Sequence, residues 1–451
     1  MKDGRVVIIG GDAAGMSAAA KIRREQPERD ILVLEKTDYT SYSACGIPYF
    51  ISGMVDNFTN LIARTPQTFR KEYGIDVRTA HEVVEIDPAD HRVRIHDKSN
   101  GREFSEAFDQ LLIATGAQPL CPELPGISTT GVFGLSTLAS GKQVYDFIQS
   151  QSPRRAVIVG GGYIGLEMAE ALTRRGMQVS LIQRSPQVME TLDPDMGALV
   201  SDALNKIGVN LFLEENFVEI EAADGRVKAV VSNKRSLPAD IVILGLGTRP
   251  NSRLAAEAGI ELGIKNAIRV DGRMCTSSPG ILAAGDCAAT THRVSGREVH
   301  IALGTIANKQ GVVAGTNLAG GQAWFPGVVG TAVSKICDVE VARTGLQEKE
   351  LCELGIDYAM ATIEANTRAG YFPGAGKITV KMFAEKKNGR LLGAQIVGME
   401  GAAKRIDVVA TALTASITVA DIIDLDLSYA PPFSPVWDPI QTAARQLVKK
   451  L

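Results

Sequence analysis

Cys45, in the run Thr40-Ser41-Tyr42-Ser43-Ala44-Cys45-Gly46-Ile47-Pro48-Tyr49, stands with no second cysteine beside it. A lone thiol can attack a sulfur–sulfur bond and keep half of it as a mixed disulfide, which is redox chemistry run on one sulfur. If the residues after it open a helix, the positive end of that helix favours the thiolate, so the sequence predicts a nucleophile near neutral pH. Free cysteines also serve as small buried hydrophobes. The elements around Cys45 decide between these uses.

Upstream, Arg5-Val6-Val7-Ile8-Ile9 reads as a buried parallel strand running into Gly10-Gly11-Asp12-Ala13-Ala14-Gly15. A helical pattern follows from Met16 to Arg24, then a second strand, Asp30-Ile31-Leu32-Val33-Leu34, which ends in Glu35. This order lets phosphate approach N–H groups at a helix start and puts a carboxylate where ribose hydroxyls need an acceptor. Asp12 replaces the middle glycine of G-x-G-x-x-G and weakens the fingerprint.

A second copy is complete. Arg155-Ala156-Val157-Ile158-Val159 leads into Gly160-Gly161-Gly162-Tyr163-Ile164-Gly165-Leu166-Glu167, a helix through Arg175, and the strand Gln178-Val179-Ser180-Leu181-Ile182. Two such units imply two nucleotides, one bound and one exchanging. Where a carboxylate would hold the ribose of NAD, the second unit has Gln183-Arg184. An acceptor is lost and a cation gained, which suits the 2′-phosphate of NADPH over NADH.

Three further runs tie the units together. Gln110-Leu111-Leu112-Ile113-Ala114-Thr115-Gly116-Ala117 is a buried strand with a tight turn, and Ile241 to Asn251, containing Gly245-Leu246-Gly247-Thr248-Arg249-Pro250, repeats that pattern. Gly280-Ile281-Leu282-Ala283-Ala284-Gly285-Asp286-Cys287 is a short apolar strand whose terminal acid is placed to hold a ribityl hydroxyl.

The order of these pieces, glycine turn, lone-cysteine run, Ala-Thr-Gly, G-G-G-x-I-G-x-E and A-A-G-D, resembles the flavin-dependent pyridine nucleotide-disulfide oxidoreductases over most of the chain. The Ser41–Tyr49 block is similar to the single-cysteine branch, which holds coenzyme A disulfide reductases, persulfide and polysulfide reductases, NADH oxidases and NADH peroxidases. The resemblance implies an α/β protein with two Rossmann-like domains and a C-terminal α+β dimerisation domain. FAD would contact Gly10, Ala13, Ala14, Gly15, Glu35, Lys36, Ser41, Val83, Thr115, Gly116, Gly285 and Asp286. NADPH or NADH would contact Gly160, Gly162, Tyr163, Ile164, Gly165, Glu167, Gln183, Arg184 and Gly247.

Absences and presences narrow the branch. Dithiol members carry C-x-x-x-x-C and a histidine near the C-terminus, but position 50 is Phe50 and no histidine follows His300. Peroxidases and water-forming oxidases have a histidine in the first glycine turn where this chain has Ala13. Coenzyme A disulfide reductases bring two tyrosines from the partner subunit to the cysteine, and Tyr371 and Tyr429 stand in similar contexts; either hydroxyl can protonate a departing thiolate. Paired arginines on the first helix of those enzymes match Arg23 and Arg24, with Arg64, Lys71, Ser41, Ser43 and Asn308 as further substrate contacts. Those enzymes often place asparagine before the cysteine, where this chain has Ala44.

The implied reaction passes a hydride from NAD(P)H to FAD, which then cleaves a mixed disulfide on Cys45, releasing thiol from coenzyme A disulfide or a related small disulfide. Three other readings stay open: a persulfide or polysulfide reductase, an NAD(P)H oxidase with Cys45 as bystander, and a redox-sensing flavoprotein. Gross properties agree. A chain of 451 residues, 45% hydrophobic, holds two or three domains with real cores. A net charge of −3 gives no general attraction to nucleic acid or anionic membrane. No signal peptide is expected before the first strand, and no apolar run reaches transmembrane length. Six cysteines without framework spacing fit a reducing cytoplasm, and Cys287, His292 and His300 read as structural, with no metal expected.

Motif order predicts a flavin domain at 1–117 and 248–325, a nicotinamide domain at 118–247 and an interface domain at 326–451 forming a homodimer. In the last, Gly330–Ile336, Val339–Thr344, Lys377–Phe383 and Leu391–Val397 read as strands, and Gly401–Ile417 and Pro439–Lys450 as helices.

Overall fold

Continuous apolar runs bounded by glycine become strands buried on both faces. The computed structural model describes residues 4–451. Val6–Ile9 pairs in parallel with Ile31–Leu34 on one side and Gln110–Ile113 on the other, and Asp76–Arg78 and Ile281–Ala283 complete a five-stranded parallel sheet. One face is covered by the Ala13–Glu25 and Gly304–Leu318 helices through Met16, Ile22, Ile306 and Ala314. The other is covered by an antiparallel meander, His81–Asp87, Arg92–Asp97 and Arg102–Ala107, through Val83, Val93 and Ile95.

The plan repeats. Asn210–Leu213, Gln178–Gln183, Arg155–Val159, Ile241–Leu244 and Val132–Gly134 form a second five-stranded parallel sheet. The Tyr163–Arg174 helix lies on one face and a meander of Phe217–Ala223, Arg226–Ser232 and Ser236–Pro238 on the other. The chain crosses between the two units through an antiparallel pair, Ala117–Pro119 with Thr248–Pro250. Asn251 closes this crossing: its amide donates to Thr115 O at 2.9 Å while the Thr115 hydroxyl donates to Asn251 O at 2.6 Å.

The C-terminal domain is an antiparallel sheet in the order Ala332–Ile336, Val339–Gly345, Leu391–Gly398, Lys377–Glu385 and Tyr358–Asn366. Helices Ala402–Thr414, Val419–Ile423 and Pro439–Val448 cover one face through Ile406, Val409, Ile422, Ile440 and Leu447. The four expected strands are present within a residue or two of their predicted limits. The first expected helix stops at Thr414, because Ser416 takes φ +57 and turns the chain into Val419–Ile423. Three elements of this domain were not anticipated, the Tyr358–Asn366 strand and the Glu348–Leu354 and Val419–Ile423 helices. The whole is α/β, two Rossmann-like units followed by an α+β domain. Among the described residues no helix is long and apolar enough to cross a membrane.

Candidate active site

Both glycine turns are forced by close approach. Gly10 at φ +111 lies against the Ala114 carbonyl and Gly160 at φ +104 against the Gly245 carbonyl, where a side chain would be strained and would collide. A Cβ on Gly15 would strike the Gly10 carbonyl, and one on Gly165 the Gly160 carbonyl. The middle position is different. Gly162 has no neighbour closer than 4.0 Å to an added Cβ, and Asp12 has extended backbone at φ −110. Asp12 therefore departs from the fingerprint while leaving the turn intact.

Neither helix start is closed by a side-chain cap, so the leading N–H groups of Ala13–Glu25 and Tyr163–Arg174 remain free for phosphate. Ala13, Ala14, Tyr163 and Ile164 lie in these first turns. Glu35 is buried. Its Oε2 accepts the Gly11 N–H at 2.8 Å and its Oε1 accepts the Thr37 N–H and hydroxyl at 2.8 and 2.7 Å, leaving lone pairs for ribose. Burial lifts the Asp12 carboxyl to about 6, against the Tyr42 N–H that donates to it at 3.1 Å, and Glu35 and Asp286 add like charge. Burial also raises Asp286, which makes no side-chain hydrogen bond among the described residues.

Beside Asp286, buried Gln310 accepts the Gly285 N–H at 2.8 Å and leaves its own Nε2 without a partner. Uncapped N–H groups, an unpaired acid and an orphaned amide at the carboxyl ends of these strands fit a dinucleotide with hydroxyls and a pyrophosphate, as FAD has. Thr115 and Gly116 sit in the crossing turn, and Gly247, at φ +97, accepts the Leu120 N–H at 2.9 Å. Lys36 is exposed and Val83 is buried in the apolar core. Ser41 takes φ +47 and its N–H donates to the Gly11 carbonyl at 3.0 Å, so the cysteine loop is pinned to the first glycine turn.

Cys45 sits in a single tight turn, Ala44–Gly46, that leads into the Ile47–Ser52 helix. That helix packs on Tyr163–Arg174 through Ile47, Ile51 and Leu166, which brings Cys45 to the junction of the two nucleotide units. The thiol is exposed at the surface of the single chain. Its pKa is raised by burial of its surroundings and then by Glu167, Asp286 and, less, Asp12. The expected low-pKa thiolate is therefore not a property of the polypeptide alone. A six-residue helix has a weak dipole, and burial, with three carboxylates behind it, outweighs it.

Glu167 is itself raised by burial, held by the Ser334 hydroxyl at 2.8 Å from the C-terminal domain. Tyr49 is a site residue that sequence reasoning passed over: burial, Glu167, Glu170 and Cys45 all raise its phenol. Its place within the cysteine run was the available signal.

Tyr371 and Tyr429, distant in sequence, are brought together. Tyr371 raises the pKa of the Tyr429 phenol through a side-chain hydrogen bond. Both are exposed, as are Met399, Phe433, Val436 and Trp437 of the same domain. The substrate cations are more scattered. Arg23 lies at the far end of its helix, about 15 Å along from Ala13. It donates to the Pro27 carbonyl and, at 2.8 Å, to the Gly74 carbonyl. Arg24 and Lys71 are exposed, and Arg64 stacks 5.7 Å from the Tyr73 ring centre. Asn308 is exposed and accepts the Ser17 hydroxyl at 2.7 Å, and Ser43 is exposed with its N–H on the Leu61 carbonyl at 2.7 Å. Cys287 is buried, its thiol on the Ile113 and Ala284 carbonyls, and among the described residues no group of three or more potential ligands could hold a metal ion.

Two dinucleotide units meeting at one thiol define an enzyme that moves electrons between a nicotinamide and a sulfur centre. The chain belongs to the pyridine nucleotide-disulphide oxidoreductase family, whose model matches residues 4–311, with the family's dimerisation domain matching residues 331–439. It is an FAD-dependent NAD(P)H oxidoreductase and a homodimer. It is 41% identical over 444 residues to an NAD(P)H coenzyme A polysulfide/persulfide reductase of Pyrococcus horikoshii, covering 98% of each chain. It is 30% identical to a coenzyme A disulfide reductase of Staphylococcus haemolyticus over 95% of this chain and 96% of that one. The reduced CoADR-RHD of Bacillus anthracis superposes with a TM-score of 0.96 at 35% identity, covering all of this chain and 81% of that one.

Proposed function

We propose that the protein uses NAD(P)H to reduce the disulfide of coenzyme A, or a related low-molecular-weight disulfide, through Cys45. The observation that carries this reading is one thiol at the start of a helix that packs on the Tyr163–Arg174 helix, where the two nucleotide units meet. The Cys45 thiolate attacks R–S–S–R, forming Cys45–S–S–R and expelling R–S⁻. Tyr429 of the partner subunit, paired with Tyr371 of the partner subunit, gives that sulfur its proton. FAD, when bound at Gly10–Gly15, Glu35 and Asp286, supplies the electron pair from NAD(P)H that cleaves the mixed disulfide. The sum is R–S–S–R + NAD(P)H + H⁺ → 2 R–SH + NAD(P)⁺.

Glu167, held by Ser334, presents a carboxyl that can take or return a proton beside the thiol. Arg24, Arg64 and Lys71 supply exposed cations for the phosphates of coenzyme A. The flavin domain comprises 1–117 and 248–325, the nicotinamide domain 118–247 and the interface domain 326–451. All six cysteines are free, which suits a reducing cytoplasm.

A second reading, sulfide release from a coenzyme A persulfide or polysulfide, is favoured by the 41% relative. Mass spectrometry of the unreduced holoenzyme tests both readings. A coenzyme A adduct on Cys45 that NAD(P)H discharges as thiol supports the first, sulfide released from a persulfide substrate supports the second, and turnover unchanged in Cys45→Ser overturns both.

A further inference from the structure

Tyr371 and Tyr429 ride on loops, residues 367–376 between the Tyr358–Asn366 and Lys377–Glu385 strands and residues 424–438 between the last two helices. Exposed loops move more than the elements they join, so two phenols on separate loops stay paired only if something ties both down. Arg405, on the Ala402–Thr414 helix, reaches both. It is buried, its Nε donates to Oδ2 of buried Asp438 at 2.9 Å, and its Nη2 donates to the Thr367 carbonyl at 3.0 Å and the Phe433 carbonyl at 3.2 Å. Thr367 opens the Tyr371 loop, while Phe433 and Asp438 follow Tyr429 on the other. Asp438 completes the tie, since its Oδ2 also accepts the Ser434 hydroxyl at 3.0 Å and its Oδ1 accepts the Ile440 N–H at 2.9 Å. The loops touch directly as well, the Ala369 N–H donating to the Pro431 carbonyl at 3.2 Å. Room for the guanidinium comes from Gly401, at φ +79, where a Cβ would strike Arg405 Nη1.

We infer that Arg405 is a positioning residue for the disulfide step: by joining Thr367, Phe433 and Asp438 it keeps Tyr371 and Tyr429 in one arrangement, so that Tyr429 meets the departing sulfur at hydrogen-bond range. When Cys45 attacks and the S–S bond breaks, the expelled R–S⁻ takes the Tyr429 proton, and the phenolate regains one from solvent. A guanidinium suits this task because its planar fork serves a carboxylate and two carbonyls at once, which an ammonium on a flexible stem does not. The inference rests on Tyr429 as the proton donor of the proposed reaction; the transfer from NAD(P)H to flavin does not use it.

The test uses the FAD-loaded dimer as wild type, Arg405→Lys, Tyr429→Phe and the two changes combined, on two substrates. Coenzyme A disulfide expels an alkyl thiolate that needs a proton; a bis(nitrophenyl) disulfide expels an acidic thiol that leaves without one. Arg405→Lys is expected to lower kcat on coenzyme A disulfide about tenfold or more with KM little changed, and to leave the nitrophenyl disulfide and flavin bleaching by NAD(P)H near wild type. Tyr429→Phe should show the same pattern, and the combined variant should lose little beyond Tyr429→Phe, because nothing is then left to position. Should Arg405→Lys fail to fold, Arg405→Met with Asp438→Asn removes both charges together and is read on the same two substrates. Equal slowing of both disulfides, multiplied losses in the combined variant, or full turnover in Arg405→Lys overturns the positioning role while Tyr429 keeps its own. Absence of coenzyme A disulfide turnover in wild type, or full turnover in Tyr429→Phe, overturns the proposed reaction and the positioning role with it.

Discussion

In the first nucleotide unit the loop after the second strand carries Cys45, ten residues beyond Glu35; in the second unit Asp193 stands ten residues beyond Gln183. The two loops share a frame. Six residues after the strand-end residue comes one with positive φ, Ser41 at +47 and Met189 at +52, and its N–H donates to the carbonyl of the second glycine, Gly11 or Gly161. Each strand-end side chain accepts the N–H of that same glycine at 2.8 Å. From this common frame the chains diverge. Cys45 opens toward the junction, while buried Asp193 pairs with buried Lys381 at 3.1 Å and accepts the Glu348 N–H at 3.1 Å. One loop offers a reactive atom, and its counterpart bolts the nicotinamide unit to the C-terminal domain. The lesson is that a duplicated scaffold fixes where a side chain is presented and leaves its use to whatever packs against it.

The sharpest way to break this comparison is at the two loop residues themselves. Cys45→Ser is expected to lower disulfide turnover by more than about 10³-fold while NAD(P)H still bleaches the bound flavin at an undiminished rate, read by stopped-flow absorbance. Loss of both steps would show that Cys45 is structural, like its counterpart. Lys381→Ala leaves Asp193 buried and unpaired beside the carboxylates of Asp195 and Glu348, so a stability cost of about 3–5 kcal/mol is expected by denaturant titration. A cost below about 0.5 kcal/mol would mean that the bolt carries no load.

The glycine turns offer a matched pair. Gly15→Ala and Gly165→Ala both meet a backbone carbonyl, yet the first is expected to lose FAD on gel filtration and the second to retain FAD while nicotinamide binding falls at least tenfold. The reverse pattern would exchange the two sites.

The smallest expected effect concerns Asp12, whose counterpart is Gly162. The native Asp12 carboxyl titrates near 6, above the ordinary carboxylate range. The folded state therefore holds a proton that the unfolded state has shed across that window, and stability contributed by this group falls as pH rises through it. Asp12→Asn is expected to stabilise the protein stripped of flavin by roughly 1–3 kcal/mol at pH 7.5. At pH 4 the gain should vanish, because Asp12 is then protonated in the fold. A gain independent of pH in thermal melts would refute the assigned charge penalty.

Much of this was legible in the chain because it is local. Val6–Ile9, Arg155–Val159 and Ile281–Ala283 are apolar runs ending in glycine, and a strand buried on both faces requires that pattern. The Tyr358–Asn366 strand escaped notice because Ala359, Ala361 and Ala365 alternate too weakly with their neighbours. The carbonyl partners of Arg23, Pro27 and Gly74, show the limit of reading by pattern, since a bond from a helix to a loop 51 residues on leaves no periodic signal.

The sequence by itself determined the two glycine turns, Glu35, the acid at 286 and the presence of one thiol in the cysteine run, since each depends on residue type and short spacing. The tertiary structure alone decided what those residues face. It raised the pKa of Cys45 by burial and by three nearby carboxylates, paired Tyr371 with Tyr429, carried Glu190 back to Gln183, and joined Asp193 to Lys381. Charge, burial and hydrogen bonding act through space, and contacts between residues far apart in the chain leave no periodic mark in it.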